Sequence, residues 1–220
     1  MGVTYTFLAI GAIDHRRRAA SHRLLGDLFR PGVNGRAPPL ALDSTPQAHA
    51  FLATRGLLRA FGEAFHERLV LVISSSLVVF CGLAVYCLIA LYLAAGLSLV
   101  VSSIILLHVL VLPAFVCCAL GLHEAAAVNE QLRRHVALFV DARVRLRLAA
   151  DASAPLDDRV LGLLEAAQQQ MAEQQLTQPV SILGFPASAA LTKAFLGAWV
   201  SLESAALTIT FIWATGVRRG

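Results

Sequence analysis

Charged side chains are scarce in this sequence. Aspartate, glutamate, lysine and arginine make up 15% of the 220 residues, whereas hydrophobic residues make up 57%, and the mean hydropathy is +0.69. Soluble domains carry about 25% charged residues. The scarcity therefore excludes an ordinary soluble domain and predicts an integral membrane protein, with the lipid bilayer as its surroundings.

The basic surplus of the chain is small and does not indicate nucleic-acid binding. The formal net charge is +4, but the arginines stand beside apolar segments, with no interleaved aromatic residues to stack on bases. Positive flanks of membrane helices explain the arginines better. We therefore expect no nucleic-acid partner.

Cysteine and catalytic motifs are also sparse. Four cysteines, Cys81, Cys87, Cys117 and Cys118, lie in apolar runs, where thiols behave as small hydrophobic groups and are expected to stay free. No zinc-ligand spacing, Gly-rich phosphate loop, pair of catalytic carboxylates or nucleophile with a base is recognisable. The sequence therefore predicts no enzyme, no metal and no cofactor.

The longest stretch without a formally charged side chain runs from Leu69 to Leu122. One membrane helix needs about 20 apolar residues, so the stretch predicts two spans, 69–94 and 98–122, divided near Gly96. Pro113 is expected to kink the second span. Arginines flank both ends of this hairpin and none lies in its turn, which places both ends in the cytoplasm by the positive-inside rule.

The segment before the hairpin is predicted to have little regular structure. The apolar start, Val3 to Ile13, is too short to span a bilayer, and it is interpreted either as a short start or as the tail of a longer membrane helix. Prolines and glycines over 14–49 predict a disordered basic linker, so that 1–47 forms one segment. Apolar residues at helical spacing from 48 onward predict an amphipathic helix that enters the membrane, within a segment 48–122.

Two amphipathic helices are predicted over 123–178, on the cytoplasmic side. The apolar stripe of the first comprises Val128, Leu132, Val136, Phe139, Val140 and Val144, and that of the second comprises Leu161, Leu164 and Met171. We expect the two stripes to pack against each other. A basic helix lying on anionic lipid is the alternative, because arginines alternate with apolar residues near 143–147.

The last segment, 179–220, is predicted to contain a short re-entrant or interfacial piece at about 180–184, followed by one membrane helix at about 187–215. This helix contains Lys193 and Glu203. Ionisable groups in membrane helices usually face a bundle interior or water. Lys193 is expected to snorkel to the interface. Glu203 is expected to line a pore or cavity, to pair inside the bundle or to be held protonated, and His108 to be neutral and hydrogen-bonded to a neighbouring helix.

Small and hydroxyl-bearing residues surround Glu203. Gly197, Ala198, Ser201 and Ala205 predict a face for close contact with another helix, and therefore an oligomer. Ser204, Thr208 and Thr210 add further hydroxyl groups. Taken together, the sequence predicts an all-α integral membrane bundle with about three transmembrane helices and a cytoplasmic helical pair.

The order of these parts resembles the C-terminal portion of the insect gustatory and odorant receptor superfamily, which includes gustatory-receptor-like proteins of other eukaryotes. The resemblance rests on "CCALGLHEAAAVNEQL" after the hairpin and "QPVSILGFPASAALTKAFLGAWVSLESAALTITF" at the end. It covers 69–215, the last three of the family's seven spans. The family's final helix carries Thr-Tyr, five residues, then Gln-Phe. Phe211 matches the closing Phe, whereas Glu203, Ser204 and Thr210 replace Thr, Tyr and Gln.

The resemblance implies a chemoreceptor-like subunit of a tetrameric, ligand-gated cation channel in the plasma membrane, with an unidentified small-molecule ligand. The last helix would line the pore, and its candidate pore residues are Glu203, Ser204, Thr208, Thr210 and Phe211. The alternatives are a non-conducting membrane scaffold or assembly protein and a truncated, inactive receptor fragment. Glu203 is the residue expected to separate a channel from a scaffold.

Overall fold

The computed structural model describes residues 2–30, 40, 42–93, 97–152, 158–182 and 184–215. Its helices are α1 (Gly2–Leu28), α2 (Thr45–Leu93), α3 (Leu97–Leu106), α4 (Leu112–Ala152), α5 (Asp158–Thr177) and α6 (Ala189–Thr215), with a π-helical turn at Leu107–Val111. Strands β1 (Ser181–Ile182) and β2 (Phe185–Pro186) form a two-stranded sheet. The predicted all-α class is confirmed, since this small hairpin is a minor interruption.

Three segments of the described residues are helical, long and apolar enough to cross a membrane. They are Leu71–Leu93, Ser98–Ala149 and Ala189–Ile212. The number of candidate spans agrees with the sequence prediction. The predicted division at Gly96 lies outside the described residues, but α2 ends and α3 begins on either side of it.

Helix α1 corrects the prediction of a linker over 14–49. The chain is helical from Gly2 to Leu28, so the apolar start and the basic segment after it form one helix. The prolines begin only at Pro31, after α1 has ended, and arginine and leucine are good helix formers. The loop prediction extended the helix-breaking effect of the prolines too far toward the N-terminus. Residues 31–39 and 41 lie outside the described part of the chain.

The chain divides into two compact units. The first, which we call the span unit, comprises the described residues of Met1–Ile13, Arg68–His123 and Ile182–Gly220. The second, which we call the four-helix unit, comprises Asp14–Glu67 and Glu124–Ser181. The predicted pair at 123–178 is therefore joined by most of α1 and the first part of α2.

Phe51 lies at the centre of the four-helix unit. Its ring makes edge contacts with Phe29, His135 and Phe139, at centroid distances of 5.0, 5.2 and 5.1 Å. Around it are apolar residues from all four helical segments and from the turn before α2: Leu25, Leu42, Ala48, Leu138, Ala142, Val160, Leu164, Ala167 and Met171. The predicted packing of the two amphipathic helices is thus observed, although Val144, at the end of the first stripe, is exposed.

The chain after α5 is held to α4 by one side chain. Asn129 donates from Nδ2 to the carbonyl of Val180 at 2.9 Å, and its Oδ1 accepts from the Val180 amide at 3.0 Å. The segment predicted at 180–184 contains β1, and Gly184, in the turn that precedes β2, adopts a φ of 77°. An L side chain is strained there, which accounts for glycine.

Replacing Asn129 with alanine is expected to lower the free energy of unfolding by about 2 kcal/mol, because two hydrogen bonds are lost and two partly buried backbone groups lose their partner. The local measurement is hydrogen exchange at the Val180 amide, which should become faster. Glu130→Ala is the control, since Glu130 is exposed and its ion pairs with Arg133 and Arg134 are weak surface pairs. An unchanged exchange rate in Asn129→Ala would contradict the assignment.

Candidate functional site

Helix α6 packs with one side on the other candidate spans. Ala206 is buried in a cluster with residues of α2, α3 and the π-helical turn, and Trp199 and Leu202 pack against that cluster. The ring of Phe115, from α4, stacks on both Phe195 and Trp199, at centroid distances of 4.4 Å and interplanar angles of 13° and 22°. These contacts define an inward face of α6, made by residues three or four positions apart.

Pro113 disturbs the second candidate span one turn after His108. Proline has no N–H group, so the usual bond to the carbonyl four residues earlier cannot form. The helix accommodates this in a π-helical turn, in which the amide of Leu112 donates to the carbonyl of Leu107. A π-helical turn thus precedes Pro113, and His108 lies inside it; the predicted kink stays a prediction. Such turns are frequent at functional sites.

His108 and Glu203 meet across two candidate spans. His108 Nε2 lies 3.5 Å from Glu203 Oε2, a distance within reach of an ion pair but longer than a good hydrogen bond. His108 Nδ1 lies 2.9 Å from the carbonyl of Ile104, in its own helix. The second carboxyl oxygen of Glu203, Oε1, is buried without a hydrogen-bond partner among the described residues.

The contact with Ile104 decides the tautomer of His108. A carbonyl oxygen only accepts, so Nδ1 carries the proton and Nε2 faces the carboxyl group. The predicted bond from His108 to a neighbouring helix is wrong for Nδ1, whose partner is the backbone one turn earlier.

The opposite, outward face of α6 carries small and hydroxyl-bearing residues. Gly197, Ser201, Ser204, Ala205 and Thr208 are all exposed on the single chain. The hydroxyl groups of Ser201, Ser204 and Thr208 donate to the carbonyls of Gly197, Val200 and Ser204 at 3.0, 2.8 and 2.8 Å. These hydroxyl groups therefore have hydrogen-bond partners within the helix, and the face presents small, weakly polar side chains.

The predicted pore residues do not share one face. Glu203 and Thr210 are half-buried on the inward side, and the Thr210 hydroxyl donates to the carbonyl of Ala206 at 2.8 Å. Ser204, Thr208 and Phe211 are exposed on the outward side. The two groups point in different directions, because adjacent helix positions lie about 100° apart, and their place in a pore stays a prediction.

The other predicted positions of α6 are all exposed. Of the packing set, Gly197, Ser201 and Ala205 lie on the outward face, whereas Ala198 lines an apolar cavity on the inward side. A methyl group added at Gly197 would meet no atom within 4 Å. Gly197 therefore contacts no other helix among the described residues of the single chain. Lys193 is exposed in the second turn of α6, and its snorkelling stays a prediction.

A small apolar cavity lies among the candidate spans. Its volume is about 220 Å³, and Phe80, Cys81, Phe115, Phe195, Trp199 and Leu202 are among the residues that line it. The four cysteines of the chain are free thiols. No group of three or more His, Cys, Asp or Glu side chains that could hold a metal ion occurs in the part of the chain that the structure describes.

Sequence reasoning missed the buried polar side chains of the four-helix unit. His15, His22, Arg55 and His135 are all buried, and His135 Nε2 donates to the carbonyl of His22 at 2.8 Å. The signal was helical spacing: Arg55 lies between the apolar positions 51 and 58, and the two α1 histidines stand seven residues apart, in line with Leu25 and Phe29. A search for helical periodicity that counts only apolar residues does not detect buried histidines and arginines.

Burial and positive neighbours lower the pKa of three of these groups: His22, Arg55 and His135. Burial, and then in decreasing order the charges of His135, Arg55, Arg18 and Arg59, together lower the pKa of His22 to about 4. Burial also lowers the pKa of Arg55 to about 10, with a contribution from Arg59. His22 is therefore neutral at pH 7, whereas Arg55 keeps its charge.

Comparison of the chain with protein-family models, with curated proteins and with solved structures gives no match.

Proposed function

We propose that this chain is an integral membrane subunit of a chemoreceptor-like cation channel. The three candidate spans supply the membrane part. The arginines on both sides of the α2–α3 hairpin support a cytoplasmic position for 123–178, and the resemblance over 69–215 supports the plasma membrane, a tetramer and a small-molecule ligand. The inward face of α6 would then pack within the subunit, and the outward face would contact neighbouring subunits.

The observation that carries the proposal is the outward face of α6. Gly197, Ser201, Ser204 and Thr208 form a strip of small residues at spacings of four, three and four, exposed on the single chain. In a bilayer, lipid fills such a strip poorly, whereas a second helix can approach it closely. Neighbouring copies would therefore meet along this strip, and the hydroxyl groups nearest the common axis would line the conducting path.

Enlarging the strip is expected to weaken the assembly. Gly197→Leu inserts a bulky side chain where the backbones approach, and the overpacking should raise the subunit dissociation constant about tenfold or more. The measurement is the oligomeric state of the purified protein in lipid nanodiscs, by particle imaging, together with cation currents in planar bilayers. Wild type should show fourfold particles and currents, and Gly197→Leu should lose both.

Leu196→Phe provides the matched control, because it enlarges an exposed position of the same helix outside the strip. The control should assemble and conduct like wild type. A wild-type monomer, or a Gly197→Leu variant that assembles normally, would rule out assembly through this face.

A second candidate function is a non-conducting scaffold or assembly protein. It is favoured by Glu203, which pairs with His108 inside its own chain at 3.5 Å instead of facing the outward strip. The same samples separate the two candidates. Assembled particles without cation current favour the scaffold, and monomers without current favour a truncated, inactive fragment.

A further inference from the structure

A second cavity lies within the four-helix unit, and its walls are partly cationic. Its volume is about 290 Å³, and its lining includes Arg18 and His22 from α1, Arg59 and Glu63 from α2, and Val128 and Leu132 from α4. The segment from Gln178 to Ser181 completes the lining. Two guanidinium groups from different helices therefore face one space that also has an apolar wall.

Gly62 explains how Arg18 reaches this wall. A methyl group added at Gly62 would lie 2.7 Å from Arg18 Nη1 and 2.8 Å from its Cζ. The guanidinium group of Arg18 thus lies across the side-chain-free surface of α2, within one turn of Arg59. An ion pair of 2.6 Å with Asp14, one turn earlier on α1, holds the same group from the other side. These two contacts fix the position of the Arg18 guanidinium group.

Positive charge around the cavity is only partly compensated. Arg18 is paired with Asp14, and Arg59 donates to Glu63 at 2.7 Å and also to Gln178. Arg55, one turn before Arg59, has a neutral partner, since its Nη1 donates to the amide oxygen of Gln174 at 2.9 Å. Arg55 is only 5% exposed, and its Nε and Nη2 have no hydrogen-bond partner among the described residues. A buried charge without a counter-ion is costly.

His22 gives the cavity a buried polar group with a vacant hydrogen-bonding position. Its side chain is 3% exposed and lines the cavity. Its Nδ1 has no hydrogen-bond partner in the described ranges. Burial is the largest cause of the lowered pKa of His22, and the charges of Arg55, Arg18 and Arg59 are among the smaller ones. At pH 7 the neutral ring offers a hydrogen bond without adding charge.

We propose that this cavity binds a small molecule bearing an oxyanion, either a phosphate or a carboxylate group, between Arg18 and Arg59. Guanidinium groups bind both oxyanions through paired, charge-assisted hydrogen bonds. The neutral ring of His22 contacts the same group, and the body of the ligand lies against Val128 and Leu132. A bound anion would also offset the surplus charge of Arg55.

The volume limits the size of the ligand. A water molecule occupies about 30 Å³ in the liquid, so a cavity of about 290 Å³ matches one anionic group with a short attached body. Both a soluble metabolite and the headgroup of an anionic lipid supply this chemistry, and the experiment must separate the two sources.

The test titrates inorganic phosphate against the purified full chain in nanodiscs of phosphatidylcholine, with chloride balancing the ionic strength. Binding is read from the rise of the thermal unfolding midpoint with phosphate concentration. In parallel, nanodiscs that also contain phosphatidylglycerol are analysed by native mass spectrometry for retained lipid. Saturable binding of phosphate identifies a soluble source, and retained phosphatidylglycerol without phosphate binding identifies a headgroup; both support the proposal.

Two variants test the walls of the cavity, and both should weaken the observed binding about tenfold. Arg59→Gln removes one guanidinium group. Gly62→Ala leaves every charge in place but displaces Arg18. If Arg59→Gln unfolds because Arg59 loses its contacts to Glu63 and Gln178, Gly62→Ala decides the test. Arg133→Gln, at an exposed arginine of the same unit, is the matched control and should change binding less than about twofold.

Circular dichroism confirms that each variant is folded before binding is compared. The proposal is overturned if neither phosphate nor phosphatidylglycerol binds to wild type. It is equally overturned if binding survives Gly62→Ala, or if Arg133→Gln weakens binding as much as Arg59→Gln does. The last result would indicate attraction to the general basic surface instead of the cavity. None of these outcomes depends on whether the chain conducts ions.

Discussion

Replacing Phe51 with alanine is expected to lower the free energy of unfolding by about 3–5 kcal/mol, the usual cost of removing a core aromatic ring. Phe51 is 0% exposed and contacts Phe29, His135 and Phe139 through its ring. The substitution leaves a void at the point where three helices of the four-helix unit meet. The measurement is the denaturant midpoint of the purified protein, followed by circular dichroism.

Phe61→Ala is a matched control for this loss, since it removes the same ring ten residues later on the same helix. Phe61 is 90% exposed, and its replacement should change the free energy of unfolding by no more than about 0.5 kcal/mol. Similar losses in the two variants would show that Phe51 is not at the centre of the core.

Acid is expected to destabilise the four-helix unit through His22. The unfolded chain binds a proton at His22 with a pKa of 6.5, and burial lowers the folded-state pKa to about 4. Between these values the unfolded state binds more protons, so stability is fully present above pH 6.5 and is lost as the pH falls toward 4. The expected loss from this group is about 2 kcal/mol at pH 5 and about 3 kcal/mol below pH 4.

The measurement compares unfolding midpoints at pH 7 and pH 5 for wild type and His22→Gln. The variant cannot take up the proton, so its stability should fall by about 2 kcal/mol less than that of wild type. His49→Gln is the control, because His49 is exposed on α2, and it should follow the wild-type dependence. The assignment fails if His22→Gln and wild type lose equal stability between the two pH values.

The candidate spans were predictable because one physical requirement dominates them. An uncharged run from Leu69 to Leu122 is too long for one span and long enough for two, and no tertiary detail alters that count. The stripes of α4 and α5 were predictable for a similar reason, since Leu132, Phe139, Leu164 and Met171 repeat at helical spacing and are indeed half-buried or buried. Composition and period were sufficient in both cases.

Helix α1 was not predictable by the same reasoning. Its buried positions include His15 and His22, which a search for periodic apolar residues does not count. The nearest prolines in the sequence lie beyond the end of the helix. Whether a histidine faces a core depends on the helices that surround it. Here the ring of His22 packs edge-on against His135, at 5.4 Å between centroids, and these residues lie more than a hundred positions apart in the chain.

The candidate site in the spans was only half predictable. Spacing alone separates Glu203 from Ser204 by about 100° around α6, so the sequence already contained the division between the inward and outward faces. The partner of Glu203 could not be predicted from spacing. The contact with His108 depends on the order of the packed helices and on the π-helical turn near Pro113, and neither follows from the periodicity of one segment.

The side-chain amide of Asn129 has a consequence for how far the small β-sheet can grow. Both backbone polar groups of Val180 are bonded to this amide, so the residue before β1 has no donor left for another strand, and its carbonyl already accepts one hydrogen bond. Unpaired strand edges are templates on which a second chain can add and aggregate. At Val180 a helix residue takes the place of that second chain, and the sheet ends there.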